Sequence, residues 1–572
     1  MAENINNLLH KLTSDTANGS ARRRAWQNIQ QREWTNSSVI SYRSAGNLLI
    51  VDPLHQDVDR DRAIDIARGL AESGLHGTVL LGSVEADGRD RLISHKLSTK
   101  RVTVIAGELS AVSGFLGHFT VTASCPGGSV NPARSGGAGT DFFDLILDLG
   151  PQPFLQQEVL PPGYYAPGNN PESLRSVLLE IPGMIGEFEK PVYIRYRFEL
   201  CAHGGKGLTG CRRCLECCPA VALTSNVDRI DLNTSLCQGC GICTVACPTG
   251  ALSYDYPPTH EWLGMIRELL NAYREEGGAR PDLMIYDGKG MDVLFAKGAR
   301  LPDNLIPVAV EDIGSVGMDA WLAALAWGAG SIALLIGEGT PQSIVTELDR
   351  QFSVAHTLLE ALGYSADRLR FYKINQGQFT LPEPGPGEDG PVNDPAGFAP
   401  FEKRKTIHFS LDHLYQQAPY PKEVSLLPQG SPFGEIRVDH GSCTLCMSCV
   451  AACPVSALYD AVDQPRLSFL EGNCVQCGLC SNVCPEDAIT LACRYLYDYE
   501  AANRPRVLLE ETAGHCIACG RPFASKRMLD RMSEKLAGHW MYRDEAVLRR
   551  LQMCEDCRVK DMFNENGRLD HH

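Results

Sequence analysis

Short apolar runs alternate with amphipathic stretches along much of the chain. Strand-like runs such as NLLIVD, GTVLLGSV and FDLILDLG are separated by helical patterns such as DRDRAIDIARGLAESG. Short apolar runs bounded by turn residues are typical of buried strands. The pattern predicts an α/β domain over residues 46–195, preceded by a polar, loosely held arm over residues 1–45.

A second alternation of helices and strands covers residues 257–380, with DLMIYD, LIPVAV and SIALLI as its strands. The uncharged run 320–337, AWLAALAWGAGSIALLIG, has the length of a short membrane span, but the glycines at 328–330 divide it. A buried helix followed by a central strand explains this run better. We therefore predict no membrane span.

A Pro- and Gly-rich stretch, LPEPGPGEDGPVNDPAGFAP, begins at residue 381. It predicts a linker, which we extend over residues 381–430. A short unit occurs twice on each side of this linker, as CPAVAL, CPTGAL, CPVSAL and CPEDAI. The repeat predicts two small domains of one kind, over residues 196–256 and 431–500, and a separate C-terminal segment over residues 501–572.

The chain is acidic: its 572 residues include 53 Lys and Arg against 69 Asp and Glu, a formal net charge of −16. This balance argues against nucleic acid as a partner. The first residues contain no apolar core for a secretory signal, and the residues after Arg23 are polar where a twin-arginine signal is apolar. We therefore predict a cytoplasmic protein, whose 23 cysteines indicate metal binding rather than disulfides.

Three of the four cysteine units have the spacing C-x2-C-x2-C-x3-C-P, which is typical of [4Fe–4S] loops. Thiolates are soft donors that suit iron, and the short gaps let one loop present three sulfurs to one face of a cluster. The proline ends the local helix and turns the fourth sulfur toward a neighbouring cluster. The ligands predicted from these units are Cys237, Cys240, Cys243, Cys247, Cys443, Cys446, Cys449, Cys453, Cys474, Cys477, Cys480 and Cys484.

The remaining unit, CRRCLECCPA at 211–220, lacks its first ligand. Alignment on Cys218 places that ligand at Leu208, and the nearest cysteine is Cys201, with AHGGKGLTG as a glycine-rich insertion. The alternative takes Cys217 into the cluster and leaves no room between the third and fourth ligands. We favour the first reading, in which the ligands are Cys201, Cys211, Cys214 and Cys218.

The paired units resemble bacterial two-cluster ferredoxin domains, over residues 201–256 and 435–495. In that family the fourth cysteine of each unit binds the cluster of the other unit, and the function is one-electron transfer. The resemblance implies four [4Fe–4S] clusters with crossed ligation, in which Cys247 and Cys218 exchange places in the first pair, and Cys484 and Cys453 in the second.

Residues 257–380 resemble the hydrogenase delta-subunit domain. The stretches that carry this resemblance are MDAWLAALAWGAGSIALLI and HTLLEALGYSADRLRFY. That family places cysteines for a two-iron cluster after its strands, whereas VEDIGSVG and IGEGTP contain none, so we expect a docking or structural unit without a cluster. The whole arrangement also resembles the large iron–sulfur proteins that accompany bacterial formate dehydrogenases, on FDLILDLG, GEFEKPVYIRYRFELCAHGG and the later cysteine units.

Two C-x2-C pairs, in CIACG and CEDC, lie in the C-terminal segment. Four thiolates in two such pairs suit tetrahedral zinc in a closed, structural site, although the stretch between them is longer than in common zinc ribbons. A single iron or a further cluster is the rival interpretation. The predicted ligands of this one zinc ion are Cys516, Cys519, Cys554 and Cys557.

Together these features predict a multidomain α+β protein with two dicluster ferredoxin-like domains, two α/β domains and a zinc-ribbon-like C-terminal segment. We predict no catalytic residue and interpret the chain as an electron-transfer protein for a larger redox enzyme, of the formate dehydrogenase or hydrogenase-like type. Two alternatives stay open. One is a maturation or assembly factor for a metalloenzyme, and the other is a reductase subunit with a flavin site that the sequence does not reveal.

Overall fold

The computed structural model describes most of the chain, namely residues 14–29, 34–35, 37–53, 62–82, 99–125, 128–135, 139–205, 207–290, 301–374, 392–461, 464–542 and 544–569. Several parts of the predicted segments lie outside these ranges, and three of them are at the ends of the chain or in the linker. They are residues 1–13 of the arm, residues 381–391 of the linker and residues 570–572 at the C-terminus.

The first α/β unit is built on a five-stranded parallel sheet. Alternate residues of its central strand Asn47–Asp52 point to opposite faces, as expected from the two-residue period of a strand. Leu48 packs with the helix Arg62–Glu72, and Leu49 packs with a small antiparallel sheet on the other face. The five strands, in spatial order, are Val102–Ala106, His76–Leu81, Asn47–Asp52, Leu145–Asp148 and Tyr164–Tyr165, and the small sheet contains Glu108–Ser113, Thr120–Cys125 and Gly128–Val130.

The predicted N-terminal arm contains a packed helix, Ala17–Ile29, which lies along the helix Thr259–Glu275 of the second α/β unit. Its buried face consists of small residues, Trp26 and Arg22. Arg22 donates hydrogen bonds to the carbonyl oxygens of Pro302 and Leu305, at 2.9 and 2.7 Å. The expectation of a loosely held arm is therefore not met here, because a mostly polar helix buries enough small side chains to pack.

The N-terminal region also supplies a strand, Val39–Ser44, that pairs antiparallel with Gly186–Pro191. The helix Pro171–Glu180 precedes Gly186–Pro191, and the strand Ile194–Tyr196 follows it and leads into the first cysteine domain. Ile194–Tyr196 pairs with Leu252–Tyr254, which lies at the end of the second cysteine unit. The first α/β unit and the first cysteine domain are thus joined by sheet pairing.

The second α/β unit has a four-stranded parallel sheet covered by the helices Thr259–Glu275, Met318–Ala326 and Gln342–Ala361. The uncharged run 320–337 forms a buried helix and the central strand Ser331–Ile336, as its glycines indicate. No helix in the described part of the chain is long and apolar enough to cross a membrane. The strands, in spatial order, are Leu305–Ala309, Asp282–Tyr286, Ser331–Ile336 and Leu369–Lys373.

A helix, Lys403–Gln416, lies inside the segment predicted as a linker. Ile407, Leu411 and Leu414 are buried in the same core as Met318–Ala326, against which this helix packs. The Pro- and Gly-rich composition that predicts a linker ends before this helix begins. Residues 403–416 therefore belong structurally to the second α/β unit rather than to a spacer.

The two cysteine domains share one plan, in which each of two short helices contains the third cysteine of its unit and small antiparallel pairings close the ends. In the first domain the helices are Arg213–Cys217 and Ile242–Ala246, and the hairpin is Leu223–Asn226 with Arg229–Leu232. In the second domain the helices are Ser448–Ala452 and Leu479–Asn482, and the strands are Gly434–Val438, Leu458–Asp460, Arg466–Phe469 and Ile489–Leu496, joined at their edges by Val424–Leu426 and Arg506–Glu510.

The C-terminal segment consists of a hairpin, Ala513–His515 with Pro522–Ser525, followed by the helices Lys526–Leu536, Glu545–Arg550 and Glu555–Leu569. It packs on the second cysteine domain. The hydroxyl of Ser525 donates to the carbonyl oxygen of Thr444 at 2.6 Å, and Arg531 forms an ion pair with Glu486 at 2.9 Å. Both contacts lie beside the cysteine loops.

Candidate metal centres

The cysteines of the four units gather into four sets, each of which takes three sulfurs from one unit and one from its neighbour. Three sets line small, largely apolar cavities. Site A contains Cys201, Cys211, Cys214 and Cys247. Site B contains Cys218, Cys237, Cys240 and Cys243. Site D contains Cys443, Cys446, Cys449 and Cys484.

Site C, the remaining set, is recognised from the electrostatic effect of its sulfurs on one another. Burial, and to a smaller extent the neighbouring Cys474 and Cys453, raise the pKa of Cys477 to about 11. Cys474 and Cys477 act most strongly on Cys480, followed by Cys449 of site D and Cys453, and Cys449 already belongs to the cavity of site D. Site C thus contains Cys453, Cys474, Cys477 and Cys480.

The backbone after each fourth cysteine follows one pattern. The third residue after it has a positive φ between 48° and 73° in all four units, at Val221, Gly250, Ser456 and Asp487. In three units this turn aims the next backbone N–H at the cysteine sulfur, at 3.2 to 3.3 Å. In the unit of Cys247, the N–H of Ala251 donates instead to the hydroxyl of Thr249, which lies 3.5 Å from that sulfur. Hydrogen bonds to sulfur are among the features that set the potential of a cluster.

The three regular units also turn tightly around their second cysteine. The residues on both sides of it have positive φ in each of these units, at Gly239, Gly241, Leu445, Met447, Gln476 and Gly478. This conformation is costly for residues other than glycine, and such strain is often retained at functional sites. The first unit does not share it, and contains instead the hairpin Gly204–Gly205 with Leu208–Thr209.

The insertion in the first unit brings Cys201 to site A. The hydroxyl of Tyr196 is hydrogen-bonded to the Cys201 sulfur, and both residues line the cavity of site A. His203 fixes the insertion, since its ring nitrogens lie 2.8 Å from the carbonyl oxygen of Cys211 and 2.8 Å from the hydroxyl of Ser225. His203 is only 1 % exposed and acts as a buried bridge between two loops.

Cys217, the rival of Cys201, is buried but lines none of the three cavities. Its thiol donates to the carbonyl oxygen of Cys214 at 3.7 Å, on a short helix that packs against Gln342–Ala361. Burial raises the pKa of Cys217 well above its usual value, and the buried Glu347 carboxylate raises it further. Burial raises the pKa of the site B cysteine Cys243 in the same way, so the position of Cys217 outside the three cavities is what separates it from the ligands.

The donor sets fit an iron–sulfur cluster. Burial raises the pKa of Cys211 to about 11 and that of Cys449 to about 12, so these thiols ionise only beside a strong positive charge. No lysine or arginine is among the described residues that line the cavities of sites A, B and D. A bound metal would supply that charge, and thiolate sulfur is a preferred ligand of iron in clusters.

A buried ion-pair network supports the second cysteine domain. Arg494 lies 2.7 Å from Glu471 and 2.9 Å from Glu435, and Arg506 lies 3.0 Å from Glu435. The two carboxylates are only 7 % and 8 % exposed, and Glu471 belongs to the turn that leads into Cys474. Sequence reasoning missed this network, because its partners are distant in sequence and carry no motif.

The C-terminal segment forms a separate four-cysteine site. Its four sulfurs lie within 4.8 Å of one another, and the first pair is in the turn of the hairpin while the second pair begins the last helix. This geometry can hold one metal ion. The members of the site are Cys516, Cys519, Cys554 and Cys557.

The two other cysteines lie away from these sites. Cys125 ends a strand of the small sheet in the first α/β unit, and burial raises its pKa. Cys493 lies within the strand Ile489–Leu496 and packs against the main core. Both are ordinary half-buried thiols, in keeping with their isolated positions in the sequence.

Two protein-family models match stretches of the chain that contain these cysteines. Residues 435–485 match the family model of the 4Fe-4S dicluster domain, and residues 230–253 match that of the 4Fe-4S binding domain. The chain carries two ferredoxin-type iron–sulfur domains. The match over residues 435–485 covers every cysteine of sites C and D, and the match over residues 230–253 covers Cys237, Cys240, Cys243 and Cys247 of sites A and B.

Two curated relatives match short stretches of the chain. Hydrogenase-4 component A of Escherichia coli (strain K12) is 52 % identical over 40 residues, which are 7 % of this chain and 20 % of the relative. Ferredoxin-type protein NapF of the same strain is 36 % identical over 55 residues, which are 9 % of this chain and 34 % of the relative. The matches thus span at most about a third of these relatives, and they support an iron–sulfur protein that transfers electrons.

Proposed function

We propose that the chain is an electron-transfer protein that carries four [4Fe–4S] clusters, at sites A, B, C and D, and relays electrons for a larger redox enzyme. The observation that carries this proposal is the crossed grouping of the cysteines into four sets of four. When bound, such a cluster accepts and returns one electron at a time. The crossed ligands tie sites A and B, and likewise sites C and D, into compact pairs.

A contact between the two ferredoxin-type domains supports a single relay. Gly210 lies so close to Leu479 that a Cβ on Gly210 would be 2.7 Å from Leu479 Cγ. The next residue after each of these is a cysteine, Cys211 of site A and Cys480 of site C. Sites A and C are therefore neighbours across the domain boundary, which favours the order B, A, C, D for electron movement.

The helix Lys403–Gln416 holds this arrangement from one side. Lys403 donates to the carbonyl oxygens of Thr244 and Val245, at 2.7 and 2.6 Å, in the helix that follows Cys243 of site B. The next residue, Arg404, donates to the carbonyl oxygen of Cys474 in site C, at 2.6 Å. Two adjacent side chains of one helix thus contact both ferredoxin-type domains. They hold the two domains, and so sites B and C, in a set position relative to each other.

The other domains complete the proposal. Residues 257–380 contain no cysteine and would serve as a docking or structural unit, as in a hydrogenase delta-subunit-like domain that has lost its cluster. The C-terminal segment would hold one structural zinc ion at Cys516, Cys519, Cys554 and Cys557. A redox enzyme subunit as the partner is supported by the short matches to ferredoxin-type relatives, and formate dehydrogenase is our candidate among such enzymes.

The test is anaerobic purification of the full chain, with iron and acid-labile sulfide measured per chain and a redox titration followed by electron paramagnetic resonance. Four reversible one-electron components are expected. Mass spectrometry of proteins that co-purify under the same conditions identifies the partner. A redox enzyme subunit in stoichiometric amount supports the relay, whereas chaperones alone, with clusters that are not reduced reversibly, would favour a maturation or assembly factor.

A further inference from the structure

Two cations occupy equivalent positions in the two ferredoxin-type domains. In the first domain, Lys190 Nζ lies 2.9 Å from the carbonyl oxygen of Ser235 and 2.6 Å from that of Cys237. Cys237 is the first cysteine of the second unit in its domain. Ser235 stands two residues before it.

In the second domain, Arg404 Nε lies 2.8 Å from the carbonyl oxygen of Gly472, and Arg404 Nη2 lies 2.6 Å from that of Cys474. Cys474 is again the first cysteine of the second unit, and Gly472 again stands two residues before it. The same pair of carbonyl oxygens therefore receives a cation in both domains.

On the side away from the carbonyl oxygens, each cation faces an aromatic ring. Lys190 Nζ lies 5.2 Å from the ring centre of Tyr42, and the Arg404 guanidinium lies 4.9 Å from the ring centre of Phe433. Both cations are partly buried between an aromatic face and two carbonyl oxygens. Such a cage favours a positively charged occupant.

The cations come from outside the cysteine units and from unrelated elements. Lys190 lies in the strand Gly186–Pro191, which precedes the first domain, whereas Arg404 lies in the helix Lys403–Gln416, which precedes the second. No repeat in the sequence relates them. Their coincidence on one position of the cysteine loop therefore points to a common role at that position.

Neither cation is neutralised by a carboxylate among the described residues. Burial lowers the pKa of Lys190 to about 8 and that of Arg404 to about 10, against the smaller opposite effects of Cys237 on Lys190 and of Cys474 and Tyr495 on Arg404. Each cation contacts the backbone carbonyl oxygen of a cysteine that is a proposed metal ligand. With no carboxylate partner, its positive charge acts mainly on the charge of the group that this cysteine binds.

We propose that Lys190 and Arg404 are positioning residues that raise the reduction potentials of the groups bound at sites B and C. This inference rests on the proposed function, since it needs clusters at these sites. Reduction adds one negative charge to a cluster, and a fixed positive charge nearby stabilises the reduced form. Electrons in the relay would then rest at sites B and C rather than at sites A and D.

The experiment is a redox titration of the full-length, cluster-loaded protein at about pH 7, followed by electron paramagnetic resonance. Lys190→Gln and Arg404→Gln keep a hydrogen-bond donor for the carbonyl oxygens and remove the charge. Each should favour the oxidised form of one component by at least about tenfold, a fall of about 59 mV in its midpoint potential. The double variant should move two components.

Matched variants separate charge from structure. Lys190→Arg and Arg404→Lys keep the charge and should keep the wild-type potentials. Arg134→Gln removes one positive charge from an exposed ion pair with Asp141, in the first α/β unit, and should move no component. In place of a glutamine variant that does not fold, Lys190→Met or Arg404→Met removes the charge with an unbranched side chain that fits a buried site and should lower the midpoint potential in the same direction.

Two results would overturn the inference. The first is a full iron content with potentials that stay within about twofold of wild type in the charge-removing variants. The second is loss of iron from every such variant, methionine included, because that would assign the cations a structural role. Failure of the proposed function looks different, since the wild-type protein itself would then lack reversibly reducible clusters.

Discussion

Replacement of Cys201 and of Cys217 by alanine tests the ligand set of site A directly. Cys201→Ala removes one of the four thiols that line the cavity. If all four sites are loaded in the wild type, this variant should lose about a quarter of the iron, or retain a three-iron cluster at site A. Cys217→Ala should keep the full iron content, because its thiol lines none of the cavities described at sites A, B and D.

The expected cost of Cys217→Ala follows from its burial. Its side chain is 4 % exposed and behaves as a small apolar group with one weak hydrogen bond, to Cys214 O at 3.7 Å. Loss of one buried group of this size costs roughly 1 to 2 kcal/mol, counting transfer from water and the small cavity left behind. A domain stability of about 5–15 kcal/mol tolerates that loss. Cys217→Ala should therefore fold and bind clusters.

The assay compares iron and acid-labile sulfide per chain in the two variants and in Cys493→Ala. Cys493 is a suitable control because it is a half-buried thiol in a strand, 3.9 Å from the carbonyl oxygen of Ser431. Electron paramagnetic resonance of the oxidised samples detects a three-iron form. Full iron in Cys201→Ala together with iron loss in Cys217→Ala would show that the vicinal cysteine is the ligand, and would refute the reading of the insertion.

Three further changes test other parts of the molecule. Cys516→Ser should remove one equivalent of zinc and destabilise the C-terminal segment while the cluster absorbance remains; elemental analysis that finds iron at this site in the wild type would contradict zinc. Glu471→Gln should lower the free energy of unfolding by about 3–5 kcal/mol in denaturant titrations, because Arg494 keeps a partly buried charge with one partner fewer; a loss below about 1 kcal/mol would contradict a buried network. Gly210→Val must displace Leu479 and should weaken the magnetic coupling between the clusters of sites A and C; an unchanged spectrum would argue against their adjacency.

The sequence predicts well those features that depend on nearby residues. The apolar run around Trp321 divides into a helix and a strand where its glycines indicate, because helix and strand formation depend on residues within a few positions of one another. The cysteine spacing likewise predicts loops that each gather three sulfurs. In both cases the decisive contacts are local, so a single segment contains the information.

Features that depend on distant contacts are not predicted. The helix Ala17–Ile29 is polar on average and buries a glycine, two alanines, an arginine and one tryptophan, so its pattern gives little sign of a partner. The helix Lys403–Gln416 follows a Pro- and Gly-rich stretch and is hidden by that composition. Lys190 meets Cys237 across more than forty residues of chain. A single lysine or arginine on a strand or helix has many possible surroundings, and only the fold selects among them.

The irregular first unit illustrates how a departure from a motif can have a structural use. The regular units turn around their second cysteine with two residues of positive φ, and that leaves no room for a hairpin. In the first unit the insertion forms a hairpin in place of this turn. The last residue of the insertion, Gly210, follows the hairpin and contacts Leu479 of the other domain. The contact with Leu479 is made by an inserted residue, Gly210. A loop of regular length would therefore lack this contact with the domain that contains site C. The longer gap between Cys201 and Cys211 is thus best explained as the part of the first domain that brings site A against site C.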